Sequence, residues 1–140
     1  MAVIGAKISR REPHANGENY GDTGAYERID GVLTFSVDPE HSANQPIVDL
    51  KWAPRDEQGR VRFQTDFALL VPQSPQRGNG RLLVDIVNRG RKRAVSTFNR
   101  AKATSEETWE VPAGDGFLFQ RGFSIVSIGW QWDVLRSEVL

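Results

Sequence analysis

The sequence predicts a β-rich α/β chain folded as a single unit of 140 residues, with an antiparallel β region over residues 1–80 and the opening strand, helical crossover and strand of a parallel sheet over 81–140. Two patterns predict it. Between residues 32 and 71, apolar side chains recur at every second position, the period of half-buried strands. After residue 81 the pattern changes to two nearly continuous apolar runs. Leu82, Leu83, Val84, Ile86 and Val87 form the first and Phe123, Ile125, Val126 and Ile128 the second, as expected of central strands covered on both faces. A chain of this length buries one core, not two.

Taken in order, residues 2–9 alternate weakly and read as a strand, and 10–25, dense in Gly, Asn, Asp and Pro, reads as loop. Leu33, Phe35 and Val37 share one face of a strand over 32–37 that Asp38 and Pro39 end. Val48, Leu50 and Trp52 repeat the period, which places Trp52 in a core or interface, and after a polar turn over 54–59 a long strand follows over 61–71. These two read as a hairpin. Two prolines and two glycines within 72–81 redirect the chain before the strand over 82–87. The crossover, 88–122, holds a short helix over 117–121 with Asp115 as its N-cap and Gly122 as its stop. The final strand, 123–130, has too little chain after it to pair its outer edge, which predicts a marginally stable or self-associating polypeptide.

Composition excludes several function classes. Lys and Arg total 18 against 18 Asp and Glu, so the formal net charge is zero and no whole-chain field attracts nucleic acid. The cluster Arg89, Arg91, Lys92 and Arg93 is too small to change that. There is no cysteine, and His14 and His41 are the only histidines, so neither thiol chemistry nor a Cys/His metal centre is expected and no cofactor is implied. No run approaches the ~20 apolar residues of a membrane span, and the start has no export-signal pattern, which fits a cytoplasmic protein if that start is native.

In an open parallel sheet, ligands gather at the carboxyl ends of the strands. Two segments fall there: Asn88, Arg89 and Gly90 after the first buried run, and Gly129, Trp130, Gln131, Trp132 and Asp133 after the second. Parallel pairing puts both on one rim. A glycine-containing turn with cationic neighbours presents N–H groups to an oxyanion or carboxylate; the competing reading is a solvated basic turn. Trp52, Trp109, Trp130 and Trp132 equally suit a stacking platform or a packed core. Among motifs, Gly114, Asp115 and Gly116 lack the third glycine of a dinucleotide fingerprint and read as a turn. Ser124 stands two residues before Val126, where a nucleophile elbow needs glycine, so it is not read as a nucleophile.

The succession Tyr26, Glu27, Arg28, Ile29, Asp30, Gly31, then Ile47, Val48, Asp49, Leu50 with Ala53, Pro54, Arg55, then Asp66 through Pro72, resembles the amino-terminal part of the bacterial "alpha/beta hydrolase domain" proteins. Gly78, Asn79 and Gly80, Val87 to Gly90, Gly116 to Leu118, Arg121 to Phe123 and Gly129 to Asp133 continue the resemblance, the last being its most specific part. It implies an α/β-hydrolase fold acting on an ester or related acyl substrate, with Asn88, Arg89 and Gly90 as the oxyanion-side loop and Trp130, Gln131, Trp132 and Asp133 beside the substrate. The nucleophile elbow and catalytic histidine would lie carboxyl-terminal to residue 140, so these 140 residues alone are expected to be inactive. The alternative is a non-catalytic β-rich binding or interaction module that uses Trp130 and Trp132.

Overall fold

The computed structural model describes residues 2–88, 90–102 and 111–130. Its strands are β1 (Ala2–Pro13), β2 (Tyr26–Val37), β3 (Val61–Pro72), β4 (Leu82–Ile86) and β5 (Ser124–Ile128). They form one five-stranded mixed sheet in the order β1-β2-β3-β5-β4. The first three strands pair antiparallel, and β5 is antiparallel to β3 but parallel to β4. The β-rich character and the passage from antiparallel to parallel pairing match the sequence reading. Two short helices, α1 (Arg93–Phe98) and α2 (Phe117–Gln120), lie along the chain between the parallel strands.

The core forms where these helices meet one face of the sheet. Tyr26, Leu70 and Ile125 project from β2, β3 and β5 against Ala94 and Val95 of α1 and Leu118 and Phe119 of α2, with Tyr20 and Val111 closing the cluster. The Tyr26 and Phe119 rings, both fully buried, pack with centroids 4.7 Å apart, and Tyr20 tilts against Phe119 at 4.9 Å. Asn99, just past α1, is also fully buried. Its Oδ1 accepts from Leu118 N–H at 2.8 Å and its Nδ2 donates to the Ala113 carbonyl at 3.0 Å, which caps α2 from the end of α1. Gly114 crosses directly over this residue with φ +63°, where any Cβ would run into the Asn99 carbonyl. A side chain at 114 is excluded twice, by space and by backbone conformation.

Several sequence expectations are corrected. The loop over 10–25 begins only after Pro13: Arg10 to Pro13 extend β1 and pair with Asp30 to Glu27. This edge strand is exposed along its whole length, and its charged end is held by ion pairs such as Arg11–Glu27 at 2.8 Å, so no apolar alternation marks it. The hairpin through Val48, Leu50 and Trp52 does not form. All twelve residues of β2 pair in register with β3, so the hairpin partner of β3 is β2 and not the segment through Val48, Leu50 and Trp52, and Asp49 takes φ +60° ahead of the 3-10 turn Leu50–Trp52. Trp52 is 75% exposed, with the Lys51 ammonium 4.9 Å from its ring centroid, and so is outside the core. The N-cap of α2 is Gly116, one residue later than expected, although the Asp115 carboxylate still accepts from Phe117 N–H at 3.1 Å.

The parallel strands divide differently from the expectation too. β5 is paired on both sides, so among the described residues the free edge of the parallel pair belongs to β4. Because β5 inserts between β3 and β4, β4 is a margin and is not covered on both faces. Leu82, Val84 and Ile86 are 50–59% exposed, whereas Leu83 and Asp85 alternate toward the helices. The second sheet face continues apolar across Val126, Leu69, Phe67, Leu33 and Phe35, and the Phe35 and Phe63 rings stack at 5.0 Å.

One core residue makes the fold pH-sensitive. His14 is buried edge-on to Phe119 with ring centroids 5.2 Å apart, and its Nε2 has no hydrogen-bond partner. Burial, then the charge of Arg28, holds its pKa below the ordinary 6.5, against a smaller upward pull from Glu18. The unfolded chain therefore takes up the proton first on acidification. This contribution to stability is fully present above the unfolded value and is lost as pH falls below it. Urea midpoints measured from about pH 7 to about pH 5 should fall more steeply for the native chain than for His14→Phe; equal slopes would show that His14 is not the responsible group.

Candidate functional site

At the carboxyl ends of β4 and β5 the chain makes two turns on one rim. The strands are parallel and in register through Ile86 and Ile128, and Val87 N–H donates to the Ile128 carbonyl at 3.2 Å, which carries the pairing to the rim itself. Beyond it, Asn88 and Arg91 bridge, with Arg91 N–H donating to the Asn88 carbonyl at 3.1 Å, and Gly90 has φ +75°. This tight turn leads straight into α1, giving a strand, turn and helix in sequence. Arg89 lies outside the described residues, as do Gln131, Trp132 and Asp133. After β5, Gly129 N–H donates to the Asp66 carbonyl at 3.0 Å and its own carbonyl accepts from the Thr65 hydroxyl. Trp130 follows, 64% exposed on the same rim.

Cross-strand register builds a polar layer beneath the turn. Asp30, Ala68, Ser127 and Asp85 are consecutive partners across β2, β3, β5 and β4, on the face that carries the helices. Asp85 organises the next segment. Its Oδ2 accepts from Arg93 N–H at 2.9 Å and Ala94 N–H at 3.1 Å, the first turn of α1, and from the Ser127 hydroxyl at 3.4 Å. A carboxylate delivered from the strand thus satisfies helix N–H groups that a local cap usually serves. Beside it, Arg28 is buried and donates through Nε to Asp30 Oδ1 at 3.0 Å; its Nη2 lies 2.9 Å from Oδ2 as an ion pair without an aligned hydrogen bond. Lys92, at the end of the turn, feels the whole group. Burial first, then Arg28, lowers its pKa from the usual lysine value, while Asp30, Asp85 and Asp66 pull it back up.

Chemically, the rim combines a backbone turn able to present N–H groups, a lysine whose charge is disfavoured, and an exposed tryptophan. Among the described residues it has no nucleophile and base in reach of one another. Ser127 is engaged with Asp85 and Ser124 starts β5 at the opposite end; His14 is sealed against Phe119, and His41 accepts from Ala43 N–H through Nδ1 in an exposed turn. Among the described residues there is no group of three or more His, Cys, Asp and Glu side chains able to hold a metal. The pattern reading missed Asp85, Arg28, Asp30 and Ser127 as a group. Its available signals were a single carboxylate inside an apolar run and a charge pair two apart on one strand face.

Asp85→Ala should destabilise the chain by about 1–2 kcal/mol in urea unfolding, by leaving the Arg93 and Ala94 N–H groups without their acceptor. Amide exchange should localise the loss to α1; a uniform loss of protection would instead assign Asp85 to the general fold. Comparison of the chain with family models, with curated proteins and with solved structures gives no match.

Proposed function

We propose that this chain is the amino-terminal, oxyanion-side segment of a serine-type α/β-hydrolase that acts on an ester or related acyl substrate. The observation that carries the reading is the juxtaposition of the Asn88–Arg91 turn with Gly129 and Trp130 on one rim of a sheet that turns from antiparallel to parallel. In this reading, N–H groups of the turn stabilise the oxyanion of a tetrahedral intermediate, and the strand–turn–helix path holds them in place before the reaction. Trp130 supplies an apolar wall for the acyl or alcohol group. The nucleophile, its acid and its histidine belong to sequence outside these 140 residues, in keeping with the absence of a paired serine and histidine among the described ones.

The test is made on the product of the complete reading frame. It should contain a Gly-x-Ser-x-Gly elbow downstream of Leu140 and hydrolyse short-chain aryl esters, and Gly90→Pro, which forbids the positive φ of the turn, should lower turnover about 100- to 1,000-fold with the circular dichroism unchanged. A frame without the elbow, or turnover indifferent to Gly90→Pro, defeats the proposal. Trp130, 64% exposed on the rim, favours one second reading, a binding module that stacks on its ligand without catalysis.

We also propose that the 140-residue chain self-associates along the free edge of β4, where Leu82, Val84 and Ile86 are half-exposed next to unpaired strand backbone. Light scattering should find dimers or larger species that Val84→Lys and Ile86→Lys each shift toward monomer. A monomeric native chain refutes it.

A further inference from the structure

The opposite rim of the parallel pair holds a cleft that the hydrolase reading does not use. It measures 520 Å³ and lies between the end of α1, α2 and the segments that lead into β4 and β5. Leu83, Leu118 and Phe123 line it, and the rings of Phe98 and Phe117, 52% and 44% exposed, stand at its mouth. A volume of this size falls within the range of small-molecule sites, roughly 300–1,000 Å³.

Its polar groups carry one sign. Arg81 and Arg121 also line the cleft, and no carboxylate among the described residues does. Neither guanidinium has an acidic partner among the described residues, although Arg10, Arg11, Arg28, Arg55 and Arg62 all do. The two arginines are also held in place. Asn79 Nδ2 donates to the Arg121 carbonyl at 2.6 Å while its Oδ1 accepts from Arg81 N–H at 2.8 Å, so one side chain ties both backbones together. The Arg121 guanidinium packs over the Phe117 ring at 5.2 Å, which fixes the charge beside the apolar mouth. The chain as a whole is neutral, so this pair is a local feature.

We propose that the cleft binds a small amphipathic carboxylate, with its aliphatic or aryl tail among Leu83, Phe98, Phe117 and Phe123 and its head group between Arg81 and Arg121. Guanidinium forks match carboxylate geometry, and the apolar walls remove the tail from water. The inference is independent of the ester-hydrolase reading, because the cleft opens at the amino ends of β4 and β5 and the turn at residues 88–91 lies at their carboxyl ends.

Titration calorimetry of the 140-residue chain with sodium octanoate, octanol and sodium acetate tests it. Octanoate should bind saturably, with octanol and acetate each weaker by about tenfold or more, since each lacks one half of the recognition. Arg81→Gln and Arg121→Gln should each weaken octanoate about tenfold at unchanged urea midpoint. Should either variant lose its fold, aromatic NMR of the native chain decides the matter: octanoate must shift the Phe98 and Phe117 ring signals and leave Phe63, on the other sheet face, unmoved. No saturable binding, octanol equal to octanoate, or shifts spread over all the phenylalanines would each overturn the proposal.

Discussion

The Tyr26 side chain is the point on which the two halves of the chain depend. It opens β2, is fully buried, and directs its hydroxyl at the carbonyls of Phe123 at 2.9 Å and Phe119 at 3.2 Å. Those carbonyls belong to the end of α2 and the residue just before β5, more than ninety positions along the chain. A buried carbonyl without a donor is costly, and the hydroxyl serves that of Phe123 at the shorter distance while lying near that of Phe119, which also accepts from Gly122 N–H at 2.9 Å. The hydroxyl has to keep its proton to do so, and burial, with Tyr20 nearby, raises its pKa far above the usual tyrosine value. The ring of the same residue is a wall of the pocket that Phe119 fills. Antiparallel lead-in and parallel pair share one sheet through the β3–β5 pairing, and on its helical face a single tyrosine adds both an apolar contact and a polar closure between them.

Around that point, the crossover solves a problem that its composition poses. Helices of six and four residues cannot persist alone, since too few internal bonds offset the entropy of ordering them. Both are capped from outside their own sequence. Asp85 reaches from β4 to the first N–H groups of α1, and Asn99 reaches from the end of α1 to α2. The caps run in series, strand to helix to helix, and each link depends on the position of the one before. Gly114 completes the series by letting the chain pass over Asn99 without a side chain.

What was legible in the sequence follows from the same physics. The strand over 61–71 and the extended runs at 82 and 123 were visible because their neighbours impose an inside and an outside on alternate residues. β1 was only half visible because an edge strand exposed throughout has no inside, and its charged end looks like loop. Val48, Leu50 and Trp52 carry the period of a strand, but β2 takes one edge of β3 along its whole length and β5 part of the other, and sequence period alone cannot express that competition. The two apolar runs after residue 81 gave the right pairing, and the right environment for β5, whose Ile125 and Val126 are buried on opposite faces, but the wrong one for β4. Periodicity does not reveal that β5 inserts on the inner side of β4. The rim at residues 88–90 was found through its place at a strand end, whereas the polar row beneath it requires a register between strands that no local pattern contains.

That row also explains why the two rims differ in chemical character. Near the amino rim the helical face begins with Tyr26 and continues with the row Arg28, Leu70, Ile125 and Leu83; one row toward the carboxyl rim it becomes Asp30, Ala68, Ser127 and Asp85. Buried charge is tolerated only when paired, so Arg28 stays fixed to Asp30, and Asp85 is tied down by α1. Lys92 enters a site where burial and then Arg28 hold its pKa below the usual lysine value, while Asp30, Asp85 and Asp66 pull it back up. At the amino rim the same sheet face is apolar and, among the described residues, the formal charges lining the cleft are two exposed guanidiniums. Paired charges and helix N–H groups occupy the carboxyl rim, whereas the amino rim sets two guanidiniums beside an apolar cleft. One sheet thus carries two different chemical environments at its two ends, and the succession of cross-strand rows over four paired strands is what separates them.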